Sequence, residues 1–489
     1  MDRRHDQRRE RCRYVVEGDQ CEEYAQSGHE LCLFHRMDRT PEEDQEFIRK
    51  VHGKLIELQL ALEADAKSAR TCRFWGYYFP QDFDLFVKAE IDGHIECRHA
   101  HFAGDADFTE AQIKGAVDFD HAVIAGNLDF SRARIGGRAD FKHVHVGGDA
   151  SFHSAEVGFE IGRGGIDLTS ALIDGKVDFE AARISGRLQG ESALIGKDAV
   201  FDDAVVEGTL TLIRGKIGGS ACFIHAEIEG DLSLWGVPIA GEFHAPRRIG
   251  GSLYLSHATI GANTVFTLSD VMGTAEFIET KFGGDATFRV ARFVKPVSFE
   301  KAEFLGRVNM EGISLPDSGS FVGMRVSKGR GDQIYRVAKQ MCQRAGNYKE
   351  AGDWHYKERC DAWYSRVFLD RRKPLEKVTA FVKPSNLLDL LMGRLTLGYG
   401  ERWWHVLIAG GITILVFTLF YHLARAQATD NCLGQSLLLS VAAFVRYGFS
   451  NFQLRAGNFM HYVVASEVVV GTALISLLLV VMVKRWGRG

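Results

Sequence analysis

The sequence predicts a multi-domain β plus α protein, in which a β-helix of four-sided coils is followed by a helical hairpin and a membrane domain. Three observations predict it: apolar residues recur every 11 positions through the middle of the chain, the spacing becomes helical near residue 333, and two apolar runs follow. The chain has 489 residues, too many for one small domain. Its net charge of -4 gives no reason to expect nucleic-acid binding.

Residues 1–40 contain a candidate metal site formed by Cys12, Cys21, Cys32 and His35, spaced C-x8-C-x10-C-x2-H. Three thiolates and one imidazole suit a tetrahedral structural zinc ion. The segment has few apolar residues, so the metal is expected to stabilise it as a zinc knuckle. The ligand set resembles short motifs of some plant transcription regulators and of the head of some bacterial membrane proteins. The alternative is a disordered, arginine-rich head with chance cysteines.

Residues 41–80 are predicted to form a helical linker and a cap on the β-helix, which occupies residues 81–315. In a unit such as 106–116, small and large apolar residues lie two positions apart, as on one face of a strand. Two units make a coil of 22 residues, and the recurring phenylalanines are expected to stack as its core. The 11-residue spacing is followed by Phe86, Cys97, Phe108, Phe119, Phe130, Phe141 and Phe152.

Glycines recur at one point of successive units, where a corner would need either positive φ or a close backbone approach. They are Gly115, Gly126, Gly137 and Gly148. A slip in the repeat between Gly158 and Gly165 predicts a loop or bulge in one coil.

These repeats resemble the pentapeptide-repeat family, although every second pentapeptide carries one extra residue. The resemblance implies a right-handed quadrilateral β-helix whose role is structural first.

Residues 330–373 change to helical spacing, with a break at Gly346-Asn347, and predict a helical hairpin. The turn resembles that of a tetratricopeptide-type hairpin. The hairpin is interpreted either as a module that couples the β-helix to the membrane or as a cap on the open end of the β-helix.

Residues 385–489 are predicted to form the membrane domain. The runs 403–423 and 459–483 are long and apolar enough to span a bilayer, and Glu467 is the one acid within them. An intramembrane acid is costly unless it is paired or wet, so an interior-facing role is expected for it. The stretch 433–452 begins with an apolar segment too short to cross, which predicts a re-entrant pore helix and loop.

This end resembles two-transmembrane, potassium-channel-like pore modules, which several bacterial pentapeptide-repeat proteins also carry. The resemblance assigns Val445, Arg446, Tyr447, Gly448 and Phe449 to the pore and its selectivity filter. Arg446 replaces the first glycine of the potassium filter, so potassium selectivity is not expected, and a ring of arginines would favour anions. In the alternative, Arg446 lies at the outer headgroups or pairs with Glu467, and no pore exists.

The predicted function is therefore that of a channel-like integral membrane protein, a homo-oligomer and by resemblance a tetramer, with a cytosolic β-helix as sensor or scaffold. Its conduction is anion-selective or non-selective. The alternative is a non-conducting, membrane-anchored scaffold for protein binding. The expected partners are the lipid bilayer, ions and a cytosolic protein on the β-helix, and nucleic acid is not expected.

Zinc is the only cofactor that the sequence predicts, and no enzymatic activity is expected, because no motif of nucleophile, base and orienting residue is recognisable. The N-terminus lacks the apolar segment of a signal peptide, and basic residues flank the spans. Both termini are therefore expected in the cytoplasm, with the spans in a bacterial inner membrane.

Overall fold

The computed structural model describes residues 11–16, 18–26, 28–60, 71–81, 83–159, 164–369, 374–390, 393, 399, 401–424, 432–446 and 458–486. The chain divides into two compact units, Met1–Val326 and Ser327–Gly489.

The first unit begins with a short antiparallel hairpin, Val15–Val16 and Asp19–Gln20, followed by helix α1, Pro41–Leu60. The helix begins with a capping box, in which the Thr40 hydroxyl accepts from the Glu43 amide and the Glu43 carboxylate accepts from the Thr40 amide. Phe47 and Val51 on α1 are fully buried. The Phe47 ring contacts those of Phe79 and Phe83 in the first coil, so α1 covers the start of the solenoid.

Four ladders of short parallel strands build the rest of this unit into a β-solenoid of about 11 turns. In the described part of the chain, two ladders have 12 strands and two have 10. The two longer ladders are ladder one, which runs from Thr71–Arg73 to Gly319–Ser320, and ladder two, which runs from Tyr78–Phe79 to Arg325–Val326. The two shorter ladders are ladder three, from Ala106–Asp107 to Val308–Asn309, and ladder four, from Glu90–Ile91 to Arg292–Phe293.

One coil visits the four ladders in turn and returns to the first. The strands of such a coil are His94–Glu96, His101–Phe102, Ala106–Asp107 and Gln112–Ile113, and the next coil opens with Val117–Asp118. Val117 pairs with Ile95 below and with Ala139 above, each 22 residues away, as the repeat predicts. The right-handed sense of the coil stays a prediction from the family resemblance.

Stacked phenylalanine rings form the core of the solenoid, as the spacing predicted. Phe108, Phe130 and Phe152 are fully buried, and their rings stack at centroid distances of 4.6 and 5.6 Å. The phenylalanine of every second unit lies on the ring two units before it, which removes a continuous column of aromatic surface from water.

The glycines at the corners allow the backbones of successive coils to approach closely, and the residues with positive φ lie at other positions. A Cβ atom at Gly115 would collide with the carbonyl oxygen of Gly93 in the coil below, and Gly115 has no positive φ. In most units the left-handed position instead lies two residues after the apolar residue that marks the 11-residue repeat, and it usually carries an ordinary side chain, such as that of Glu110 or His121. Aspartates at the strand ends support these turns, since Asp118 accepts from the amide of Asp120 at 3.0 Å.

The ladders continue through the predicted slip in the repeat. Ala139 pairs with Ile166, 27 residues away instead of 22, and the extra residues fall between Val157 and Ile166. A later coil is one residue short, since Leu232 pairs with Leu253. In both cases the change in coil length falls between strands, and the pairing along the ladders continues.

The second unit is helical in the residues described. Its helices are α2, Asp332–Arg344; α3, Tyr348–Tyr364, extended by a π-helical turn at Ser365–Leu369; α4, Pro374–Val382; α5, Pro384–Leu388; α6, Trp403–Leu423; α7, Leu433–Phe444; and α8, Asn458–Trp486.

Helices α2 and α3 pack against each other on either side of the break seen in the sequence. Gly346 has a φ of 77°, and Asn347 caps α3 by accepting from the Glu350 amide. Across the pair, Glu358 on α3 accepts hydrogen bonds from Arg336 and Lys339 on α2, at 3.0 and 2.6 Å.

Candidate metal centre and membrane helices

The four ligands predicted from the N-terminal motif converge in the structure. One ligand atom from each of Cys12, Cys21, Cys32 and His35 lies within 4.8 Å of the others. Cys32 Sγ lies 3.1 Å from His35 Nδ1, and the Sγ atoms of Cys21 and Cys32 are 3.9 Å apart. Tetrahedral ligands of one zinc ion are separated by about 3.4–3.8 Å. The cluster therefore has the donor set and the size to hold a metal ion.

His35 is oriented by contacts that the sequence did not reveal. Its Nε2 lies 3.0 Å from the carbonyl oxygen of Trp75, which can only accept, so Nε2 carries the proton and donates. The lone pair of Nδ1 therefore faces the thiols. The Tyr14 ring stacks on the imidazole at 4.0 Å and holds its plane.

The N-terminal segment that contains the cysteine cluster packs against the solenoid, so its stability does not depend on its own few apolar residues alone. Cys12, Cys32 and Phe34 are at most 3 % exposed. The Phe34 ring stacks at 4.5 Å on Tyr77 of the first coil, and Lys54 of α1 donates to the Tyr77 hydroxyl at 2.6 Å. The helix and the first coil thus supply the packing that a 40-residue knuckle lacks.

The thiols of Cys21 and Cys32 affect each other's pKa. Hydrogen bonding with Cys32 lowers the pKa of the Cys21 thiol to about 4, whereas the same contact, together with burial, raises the pKa of Cys32. A lowered pKa favours the thiolate, which is the form of cysteine that binds metals.

Helices α6 and α8 are long and apolar enough to cross a membrane, over Trp403–Leu423 and Phe459–Val483. These bounds are those predicted from the sequence. Side chains such as Leu415, which is 65 % exposed, cover much of their surface. The shorter apolar helix α7 packs against both.

Glu467 lies at the junction of the three helices and is fully buried. Its carboxylate accepts a hydrogen bond of 2.6 Å from the Tyr421 hydroxyl of α6 and contacts the Ser440 hydroxyl of α7. The predicted interior-facing position is therefore present. In the described residues this carboxylate contacts the Tyr421 phenol and the Ser440 hydroxyl, and it does not pair with Arg446.

Two glycines allow the end of α7 to sit between the long helices. A Cβ atom at Gly471 of α8 would collide with the backbone carbonyl of Phe444, and one at Gly410 of α6 would come within 3.1 Å of the Phe444 ring. Such small-residue contacts are how helices pack closely in a membrane.

Of the predicted filter residues, the structure describes Val445 and Arg446. Both are exposed, and Arg446 adopts a φ of 59° at the end of α7. Tyr447, Gly448 and Phe449 lie outside the described residues.

Next to Arg446, an open groove follows one exposed face of α8. It is lined by the polar residues His461, Thr472 and Ser476, with the small Ala465 between them, and these four, spaced at whole helical turns, form the polar stripe of α8. A sequence search for charged residues misses this face, because its signal is the spacing of small and polar side chains.

Comparison with known proteins identifies the repeats. A family model described as pentapeptide repeats, with 9 copies, matches residues 108–156, which lie within the solenoid. No curated protein and no solved structure matches the chain.

Proposed function

We propose that the chain is an integral membrane protein that assembles as a homo-oligomer, with α6 and α8 spanning the bilayer and α7 entering it as a pore helix. Arg446 would line the constriction, and the cytosolic solenoid would act as a sensor or scaffold for a protein partner. The predicted role is ion conduction, anionic or non-selective, without enzymatic activity. The proposed location is a bacterial inner membrane with both termini in the cytoplasm.

The exposed polar stripe on α8 carries this proposal. Lipid-facing positions of a spanning helix favour large apolar side chains, whereas polar groups there face protein or water. Thr472 and Ser476 are exposed within one chain, and the Thr472 hydroxyl donates to the Val468 carbonyl of its own helix at 2.7 Å. The remaining hydrogen-bonding capacity of this face favours cover by other copies or by water in a bilayer. An arrangement around an axis, a tetramer by resemblance, would turn this stripe and Arg446 inward.

Flux through liposomes containing the purified protein tests the proposal, with chloride and potassium gradients compared. We expect anion flux that is reduced by Arg446→Gly and reversed in selectivity by Arg446→Glu. Glycine tolerates the positive φ at this position, so the first change removes the charge without backbone strain.

A matched pair on α8 separates pore lining from general damage. Thr472→Trp would obstruct the proposed pathway, whereas Val470→Trp introduces the same side chain about 200° away around the helix, at an exposed position outside the groove. Flux should fall in the first variant and persist in the second. Absence of flux over a range of potentials, or equal effects of the two changes, would reject the pore.

A scaffold is the second candidate, and exposed apolar corners favour it. Leu268 and Val290 occupy the same corner of successive coils and are 64 and 46 % exposed. Aligned apolar side chains on a rigid surface suit a protein partner. Replacing both with asparagine, which tolerates their positive φ, should abolish capture of that partner while leaving the fold intact.

Zinc is the metal that we propose for the N-terminal cluster. The set of three thiolates and one imidazole favours it, and closure by four protein ligands favours a structural role. Cys12, Cys21, Cys32 and His35 would then fix the head on α1 and the first coil.

A further inference from the structure

Three histidines form a stacked column on one corner of the solenoid. His99, His121 and His143 are 22 residues apart and have φ values of 52°, 59° and 53°. Their rings stack with centroids 4.9 and 4.3 Å apart. Because these rings lie at the surface of successive coils, they are not part of the hydrophobic core.

Two of these imidazoles converge on one carboxylate. Oδ1 of Asp120 lies 2.9 Å from Nδ1 of His121 and 3.1 Å from Nδ1 of His143. The ligand atoms of the three residues all lie within 4.8 Å of one another. Ligands at right angles around a metal ion, each about 2.1 Å from it, are about 3.0 Å apart, so the nitrogen–oxygen separations match neighbouring coordination positions.

We propose that Asp120, His121 and His143 form a surface site for a divalent transition-metal ion, of the class of Ni²⁺ and Zn²⁺. Two neutral imidazoles and a carboxylate are ligands that these ions accept, and the exposed rings leave room for water at the remaining positions. The site is separate from the cysteine cluster and does not depend on pore activity.

The solenoid holds the ligands in place before any ion arrives. The His121 amide donates to the Lys142 carbonyl at 3.0 Å, and the His143 amide donates to the Thr169 carbonyl at 3.0 Å. Both backbones are thus tied to the next coil, which reduces the entropy lost on metal binding.

Two histidines at left-handed positions of other coils provide matched controls, His225 at the corner that follows ladder three and His257 at the corner that follows ladder one. His225 and His257 have φ values of 59° and 61°, and each contacts one carboxylate, from Asp203 and Glu279 respectively. They share the backbone conformation and the exposure of the proposed site but lack its second imidazole. Asparagine tolerates positive φ, so His→Asn changes the ligand and keeps the corner.

Calorimetric titration of the full-length protein with NiCl₂ tests the site, using protein purified in detergent without a polyhistidine tag and carrying one equivalent of zinc for its cysteines. We expect Ni²⁺ binding that weakens by about tenfold or more in the His121→Asn/His143→Asn variant. The His225→Asn/His257→Asn variant should bind like the native chain.

A second surface cluster, His153 with Asp178 and Glu180, offers one imidazole and two carboxylates and must be separated from the first. His153→Asn should leave the Ni²⁺ titration unchanged. The proposal is overturned if the native chain binds no Ni²⁺, if His153→Asn removes the binding, or if the control pair weakens it as much as His121→Asn/His143→Asn. Circular dichroism of each variant verifies that the solenoid remains folded.

Discussion

The Tyr421 hydroxyl lies 2.6 Å from the Glu467 carboxylate and joins α6 to α8 through a buried hydrogen bond. Ser440 of α7 contacts the same carboxylate, so one polar group connects all three apolar helices. A buried acid without partners would be costly in this setting. The contact therefore specifies how the three helices align as well as how tightly they pack.

Loss of this contact should loosen the helices. Tyr421→Phe removes the hydroxyl and should lower the free energy of unfolding in detergent by about 0.6–1.7 kcal/mol, the range of such bonds in membranes. Denaturant titration of the purified protein measures the change. Tyr462→Phe is the control, since Tyr462 on α8 is 73 % exposed. Equal losses in both variants would mean that the Tyr421 contact does not stabilise the helices.

The phenylalanine column should tolerate no charge. Phe130→Asp places a carboxylate without a partner in the dry core and should destabilise the solenoid by more than about 4 kcal/mol, enough to prevent folding. Thermal melting followed by circular dichroism reports the loss. Leu268→Asp is the matched change at an exposed corner and should melt like the native protein. A native melting temperature for Phe130→Asp would contradict the proposed energetics of the core.

The cysteine cluster should contain one zinc ion per chain, measured by elemental analysis of purified protein. Cys32→Ser should lose the metal, because it removes a buried ligand from the set of four. A chelator should lower the melting temperature of the native chain, since the metal binds the folded state. Cys432→Ser, a change at an exposed cysteine that caps α7, should retain the zinc. Zinc content unaffected by Cys32→Ser would exclude this cluster as the site.

Stability of the α2–α3 pair should depend on pH through Glu358. Burial opposes ionisation of this carboxyl, but hydrogen bonds from Lys339 and Arg336 outweigh it and hold its pKa below the usual range. A lowered folded pKa stabilises the fold above the unfolded pKa of about 4.3, and the contribution is lost as pH falls through the folded value.

Hydrogen exchange in α2 and α3 measures this dependence. Glu358→Gln should weaken protection by about 1–3 kcal/mol at pH 7, and the difference from the native chain should disappear in acid. Asp353→Asn, at an exposed position of α3, should change little. A difference that persists at low pH would show that ionisation of Glu358 is not its cause.

Periodicity predicted the solenoid because its core is made of one residue type at one spacing. Phe130 had to lie inside once the 11-residue repeat was recognised, and the ladders follow from the coil length. The corners were harder to predict. Gly115 was assigned either of two roles, whereas the left-handed position is held by residues such as His121, whose identity varies because backbone hydrogen bonds stabilise the conformation.

The candidate sites were predictable where residue type alone identifies the chemistry. Cys32 and His35 were recognisable as candidate ligands from their spacing, and the structure brings them together. The Trp75 carbonyl that orients His35 was not, because any residue has a carbonyl and only folding places this one. Glu467 was recognised from its charge, but its partner Tyr421 lies 46 positions away and has no distinguishing pattern.

The coils on either side of the irregular segment between Val157 and Ile166 pair as if it were absent, since Ala139 and Ile166 keep the ladder in register. That position is therefore a suitable insertion site for protein engineering. A reporter domain inserted there would interrupt no strand. Removing or adding whole coils on either side would change the length of the solenoid in steps of about 4.8 Å, the spacing of paired strands. The solenoid could therefore serve as a spacer of adjustable length.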